Sequence, residues 1–173
     1  MFKNKGFTLI ELLVVIAIIG LLFSLAIVSL SAVQKKSRDA KRLADMRQIR
    51  TALELYYGRN GRYPSISADS CCDGWDQGPC GSDAFIGALV SAGLMSKVPT
   101  DPLGCSGTSC CGYSYYRYSP GAYGCPAARG YFFVLGVRDM ETSSNPHPSS
   151  PGWKCTNRNW QSEFDWVVGG FEN

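Results

Sequence analysis

The chain has 173 residues, enough for one long element joined to one modest domain. Its 17 basic and 14 acidic residues leave a net charge of +3, too close to balance for a general nucleic-acid binder. A single histidine, His147, argues against histidine-based catalysis and against most zinc centres, and neither a glycine-rich phosphate loop nor a hydrolase elbow is present.

Residues 1–6 form a short basic segment carrying Lys3 and Lys5. Residues 7–33 are then almost wholly apolar, with no proline and only Gly20 to weaken a helix. At a rise of 1.5 Å per residue this stretch reaches roughly 40 Å, enough to cross a hydrocarbon core of about 30 Å. One residue interrupts it. Glu11 places a carboxylate where ionised groups cost at least ~2.5 kcal/mol, so it is expected either to have a partner or to lie near enough the interface to reach headgroups. A cleaved secretory signal fits less well, because such a core rarely opens with an acid and usually runs only ~7–15 residues.

The run Lys5-Gly6-Phe7-Thr8-Leu9-Ile10-Glu11, followed by Leu12-Leu13-Val14-Val15-Ile16, resembles the class III signal of type IV prepilins and type II secretion pseudopilins. The resemblance implies cleavage between Gly6 and Phe7 by a prepilin peptidase, which also methylates the new Phe7 amine. It gives Glu11 a partner in that charged amine, its own or a neighbouring subunit's. Opposite charges in a low-dielectric bundle attract strongly while either alone is costly, so such a pair selects one axial register between helices. The family further implies self-assembly into a helical filament, with an assembly platform and minor pilins as additional partners. It implies a single-pass inner-membrane precursor whose head lies outside the cytoplasm and ends in a periplasmic or cell-surface filament. Lys35, Lys36, Arg38, Lys41 and Arg42 after the apolar stretch argue for the opposite orientation by a simple positive-inside count. The cysteines and the resemblance outweigh that count. Many pilins carry a proline near the middle of this stretch; Val28 stands there instead, so no kink is predicted.

Residues 34–57 are amphipathic. Ala40, Leu43, Met46, Ile49, Leu53 and Tyr56 or Tyr57 recur every three or four positions and are expected to be buried. Arg38, Asp39, Lys41, Arg42, Asp45, Arg47 and Arg50 are expected on a solvated face. The pattern predicts one helix from residue 7 to about 57, stopped by Gly58 and Gly61, with Tyr63-Pro64 turning the chain away.

Residues 58–173 read as a globular head. Asp83 is placed to cap a short helix over 84–92, with Phe85, Leu89 and Val90 inward and Gly93 at its end. Strands are predicted at 113–118 and 131–137 and a third at 164–168, with an exposed loop over 141–152. The fold class expected is α+β: a long N-terminal helix whose rear half packs on a small antiparallel sheet in a disulfide-rich head. The stretches 53–64, 98–104 and 113–121 also resemble major pseudopilins.

All eight cysteines, Cys71, Cys72, Cys80, Cys105, Cys110, Cys111, Cys125 and Cys155, follow residue 70, which points to disulfides in an oxidising compartment. The adjacent pairs 71–72 and 110–111 are expected to bond elsewhere, and each bridge typically contributes ~2–4 kcal/mol. No Cys-x-x-Cys spacing supports zinc or thiol redox chemistry. Asp139 and Glu141 are weak calcium candidates through the resemblance to calcium-binding major pseudopilins; ordinary solvation is their plainer use, and no other cofactor is expected. Trp75, Trp153, Trp160 and Trp166 suit a core, or an adhesive or sugar-binding surface. The function expected is a structural subunit of a type IV pilus or a type II secretion pseudopilus. The alternative is a minor pilin whose head binds DNA or a surface. With 8 basic and 10 acidic residues from Gly58 onward, the head is poorly suited to phosphate backbones. An enzyme is the weakest class.

Overall fold

The computed structural model describes residues 6–66, 74–78, 85–104, 112–143 and 145–173, with the backbone alone at 25–29. Among these, helix α1 spans Leu9–Asn60 and α2 spans Gly87–Ser91. The strands are β1 (Asp76–Gly78), β2 (Tyr113–Tyr118), β3 (Phe132–Val137), β4 (Lys154–Cys155), β5 (Arg158–Asn159) and β6 (Trp166–Phe171). The chain separates into two units, Met1–Ser37 and Arg38–Asn173.

In the first unit every described side chain of α1 is exposed, on all sides of the helix. Among the described residues no helix is long and apolar enough to cross a membrane.

In the second unit α1 buries Asp39, Arg42, Asp45, Met46, Ile49, Ala52 and Leu53. The three- and four-residue spacing places them along one face. This corrects the expectation for the charges: Asp39, Arg42 and Asp45 belong to the inward stripe, whereas Ala40 is exposed. Met46, Ile49 and Leu53 are buried as predicted; ahead of them the buried positions are Asp39 and Arg42 rather than Ala40 and Leu43, one residue or about 100° round the helix. The helix also passes the expected stop at residue 57. Gly58 sits inside it, since one exposed glycine costs only about 1 kcal/mol. The end comes at Gly61, whose φ of 67° is favourable for glycine alone and whose N–H donates to the Tyr57 carbonyl at 2.8 Å.

The main sheet has the order β1-β2-β3-β6, antiparallel throughout, with Tyr115 opposite Leu135 and Leu135 opposite Val168. Side chains alternate between its faces. Tyr113, Tyr115, Phe133, Leu135, Val137, Trp166 and Val168 share a core with Met46, Ile49 and Leu53 of α1. Tyr118, Phe132, Val134 and Val167 point the other way, into a second core with Trp75, Trp160 and Phe164. All six positions of β3 are therefore buried. The sheet is a middle layer, where a two-layer head was expected; aromatic residues outside the predicted strands supply the third layer. Two glycines admit it. A Cβ on Gly136 would lie 2.5 Å from the Phe164 ring, and Trp153 rests directly against Gly169.

Strand β3 starts one residue later than predicted, because Tyr131 is exposed. The third strand is 166–171 rather than 164–168, since Phe164 turns into the second core before pairing begins. The polar β1 and the β4–β5 hairpin carry no apolar alternation and were not predicted. Helix α2 is shorter than 84–92; Asp83 and Ala84 lie outside the described residues, and Val90 is 37% exposed. Phe85 and Leu89 are buried as expected, and Gly93 closes the helix with φ 68°.

Candidate functional site

The N-terminal residues singled out by sequence form a specific local structure. Thr8 stands immediately before α1, and its carbonyl accepts from Leu12 N at 3.3 Å. One Glu11 oxygen, Oε2, accepts from both Thr8 N and Thr8 Oγ1 at 2.8 Å, while Glu11 N donates to Thr8 Oγ1 at 3.3 Å. This is a capping box, in which a hydroxyl and an acid three residues apart satisfy each other's backbone amides. The Thr-x-x-Glu signature before an apolar run was present in the sequence and passed over in favour of the lone charge. Phe7 is 84% exposed, and Leu9, Ile10, Leu12 and Leu13 follow it on the open surface.

A second arrangement lies within the unit Arg38–Asn173. The Arg42 side chain is fully buried. Its Nε and Nη2 donate to Asp101 at 2.6 and 3.0 Å, and its Nη1 donates to Asp39 at 2.7 Å and to Glu141 at 2.9 Å. Arg38 grips Glu141 through Nε and Nη2 at 2.7 and 2.5 Å. Asp39 accepts in addition from Glu141 N, Thr142 N and Thr142 Oγ1. Charge-assisted and forked bonds of this kind fix geometry as well as energy, so the loops holding Asp101 and Glu141 are held to one side of α1. Burial disfavours the Asp39 anion, but the bonds from Thr142, Glu141 N and Arg42 prevail and leave its pKa lowered. Arg38 first, and Arg42 after it, bring Glu141 down to about 2.

The family model for the prokaryotic N-terminal methylation motif matches residues 1–32. Type II secretion system core protein G of Klebsiella pneumoniae is 31% identical over 135 residues, 70% of this chain and 79% of that protein. The chain belongs to the type IV pilin and type II secretion pseudopilin family. Core protein G of Vibrio cholerae is 29% identical over 163 residues, covering 87% of this chain and 92% of that protein. The type IV major pilin protein PilA of Myxococcus xanthus is 36% identical over 65 residues, which is 38% of this chain and 30% of that protein. No solved structure matches the chain.

In this pilin-like chain, Cys125 and Cys155 form a disulfide across 30 residues. Cys71, Cys72, Cys80, Cys105, Cys110 and Cys111 lie outside the described residues. Of the calcium candidates, Glu141 is taken up by two guanidinium groups, and Asp139 accepts from Gly112 N at 3.0 Å. Among the described residues no cluster of three or more His, Cys, Asp or Glu gathers to hold a metal ion. Sequence reasoning missed the Arg42 network because its members are far apart in the chain; the only local sign is the Asp39/Arg42 pair at i, i+3.

The network sets a pH dependence. Asp39 and Glu141 are more acidic folded than unfolded, so the stability they contribute is complete above the ordinary carboxylate range near 4.5 and is lost as pH falls towards about 2. Chemical denaturation at a series of pH values should show this loss. Glu141→Gln should flatten the dependence in that window.

Proposed function

We propose that the chain is a precursor cleaved between Gly6 and Phe7 and methylated at the Phe7 amine. It is anchored in the inner membrane by its apolar helix, with the head outside the cytoplasm, and then assembles with copies of itself into a filament. The carrying observation is α1 from Leu9 to Val33: almost wholly apolar, exposed at every described side chain, and bearing one acid in its first turn. A contiguous apolar surface of this extent calls for lipid or protein around it. In the filament the neighbouring helices supply that cover, and Glu11 meets a Phe7 amine. The role is structural rather than catalytic. A prepilin peptidase with methyltransferase activity, an assembly platform and minor subunits are the partners it requires, and no cofactor enters.

Within the family we infer the type II secretion form. The similarity to core protein G of Vibrio cholerae extends over 87% of the chain, whereas the similarity to the Myxococcus xanthus major pilin extends over 38%. A pseudopilus subunit accounts for the head as well as the helix.

The capping box makes the assembly role separable from a merely local one. Glutamine serves at the third helical position of a capping box but carries no charge. Glu11→Gln should therefore leave membrane insertion and leader cleavage intact while lowering sheared-filament yield about tenfold or more, and Glu11→Ala should do the same. Filament yield is read by immunoblot and electron microscopy. Normal filaments from Glu11→Gln would show that the acid caps the helix and does no more.

A further inference from the structure

On the sheet face remote from α1 lies a cavity of about 450 Å³ with no part in the assembly scheme. Trp75, Tyr116, Tyr118 and Tyr123 wall it, and Arg138 lines it with them. Arg138 is placed in an unusual way. Its guanidinium lies 4.1 Å from the centre of the Phe164 ring, and Nη1 donates to the Glu163 carbonyl at 3.2 Å. Its Nε is buried with no hydrogen-bond partner among the described residues. The Nε–Nη2 edge of a guanidinium is the fork that fits the two oxygens of a carboxylate, and in Arg138 the Nε of that edge has no acceptor among the described residues. A buried guanidinium nitrogen left unmatched costs free energy, which an incoming acceptor would restore.

The remaining polar lining narrows the ligand. Arg158 holds Glu163 through two bonds of 2.8 and 2.7 Å, so that pair is internally neutral and the cavity keeps the one positive charge of Arg138. Tyr123 is held in the left-handed region at φ 51° and is 43% exposed. Asn157 N bonds its carbonyl at 3.0 Å, Arg158 lies 4.6 Å from its ring centre, and the Cys125–Cys155 bridge follows it in the chain. A bulky residue keeps such a backbone only where its surroundings hold it, and such positions concentrate at ligand sites. Aromatic walls with a few fixed polar groups are the general form of a small-ligand site, and the flat C–H faces of a sugar ring suit them. A net-negative head, with one net positive charge in this cavity, opposes a polyphosphate chain. We propose that this cavity binds a carboxylate-bearing sugar unit, a uronic acid of a polysaccharide, with the Arg138 fork on the carboxylate and the Tyr and Trp rings on the sugar.

The test uses the full chain in detergent micelles, with intrinsic tryptophan fluorescence and saturation-transfer NMR as readouts. The probes are digalacturonate, neutral digalactose, a dipeptide ending in tyrosine, and oligo-dT. Digalacturonate should bind, and neutral digalactose should bind about tenfold more weakly or worse, the usual worth of a charge-assisted pair. Arg138→Gln should lose about the same factor while Arg138→Lys recovers part of it. Tyr123→Asn, a partly exposed position where asparagine tolerates the left-handed backbone, should weaken binding severalfold while the head still unfolds cooperatively. The proposal fails if neutral and acidic sugars bind alike, if the peptide or oligo-dT is preferred, if no probe binds, or if folded Arg138→Gln keeps full affinity. Should Arg138→Gln not fold, full affinity in Tyr123→Asn overturns the site by itself.

Discussion

Arg42→Ala should destabilise the unit Arg38–Asn173 by about 3–5 kcal/mol, a loss expected when one partner of a buried ionic network is removed. The side chain is fully buried and bonds three carboxylates, so its loss leaves Asp39 and Asp101, themselves almost completely buried, without the guanidinium that balances their charge, and leaves Glu141 with Arg38 alone. Arg38 is not a substitute: it is partly exposed and reaches only Glu141. The denaturant midpoint should fall with little change in slope, read by tryptophan fluorescence in detergent. Removing Asp101 together with Arg42 should cost less than the sum of the single losses, because the stranded charge goes with its partner. A loss below about 1 kcal/mol for Arg42→Ala would mean that water reaches the network and screens it, as at exposed ion pairs.

The double variant Cys125→Ala/Cys155→Ala should lose about 2–4 kcal/mol. The bridge closes 30 residues of chain, a loop for which denatured-state entropy alone accounts for roughly 3.5 kcal/mol. It ties the turn Ala122–Gly124 to the β4–β5 hairpin, a two-stranded piece of only two residues per strand that cannot hold itself together. Hydrogen exchange should therefore rise first at Asn157, whose amide bonds the Tyr123 carbonyl, and spread to the aromatic core around Trp160. The α1-facing core of Met46, Ile49, Phe133 and Leu135 should keep its protection relative to global unfolding. Equal loss across both cores would show that the two faces of the sheet fold as one unit.

The sequence alone determined the family, the long helix and the two central strands, because each rests on a strong local pattern. A basic segment, a glycine, an aromatic and a lone acid before an apolar run leave few alternatives, and the family match to residues 1–32 falls on those residues. Aromatic and β-branched runs bounded by glycine and proline marked β2, and β3 to within one residue. Thr8 was legible too, as half of a Thr-x-x-Glu capping box. Only the tertiary structure decided which helix charges are buried. Asp39, Arg42 and Asp45 are polar in any hydropathy pattern, and they turn inward because Asp101, Glu141, Thr142 and Tyr113 come from distant parts of the chain to bond them. The same holds for the second face of the sheet. Gly136 and Gly169 look like weak points in a strand until Phe164 and Trp153 are seen lying against them. Periodicity reports one element against an average interior, whereas partners that cancel a charge or fill a gap at long sequence separation exist only once the chain has folded.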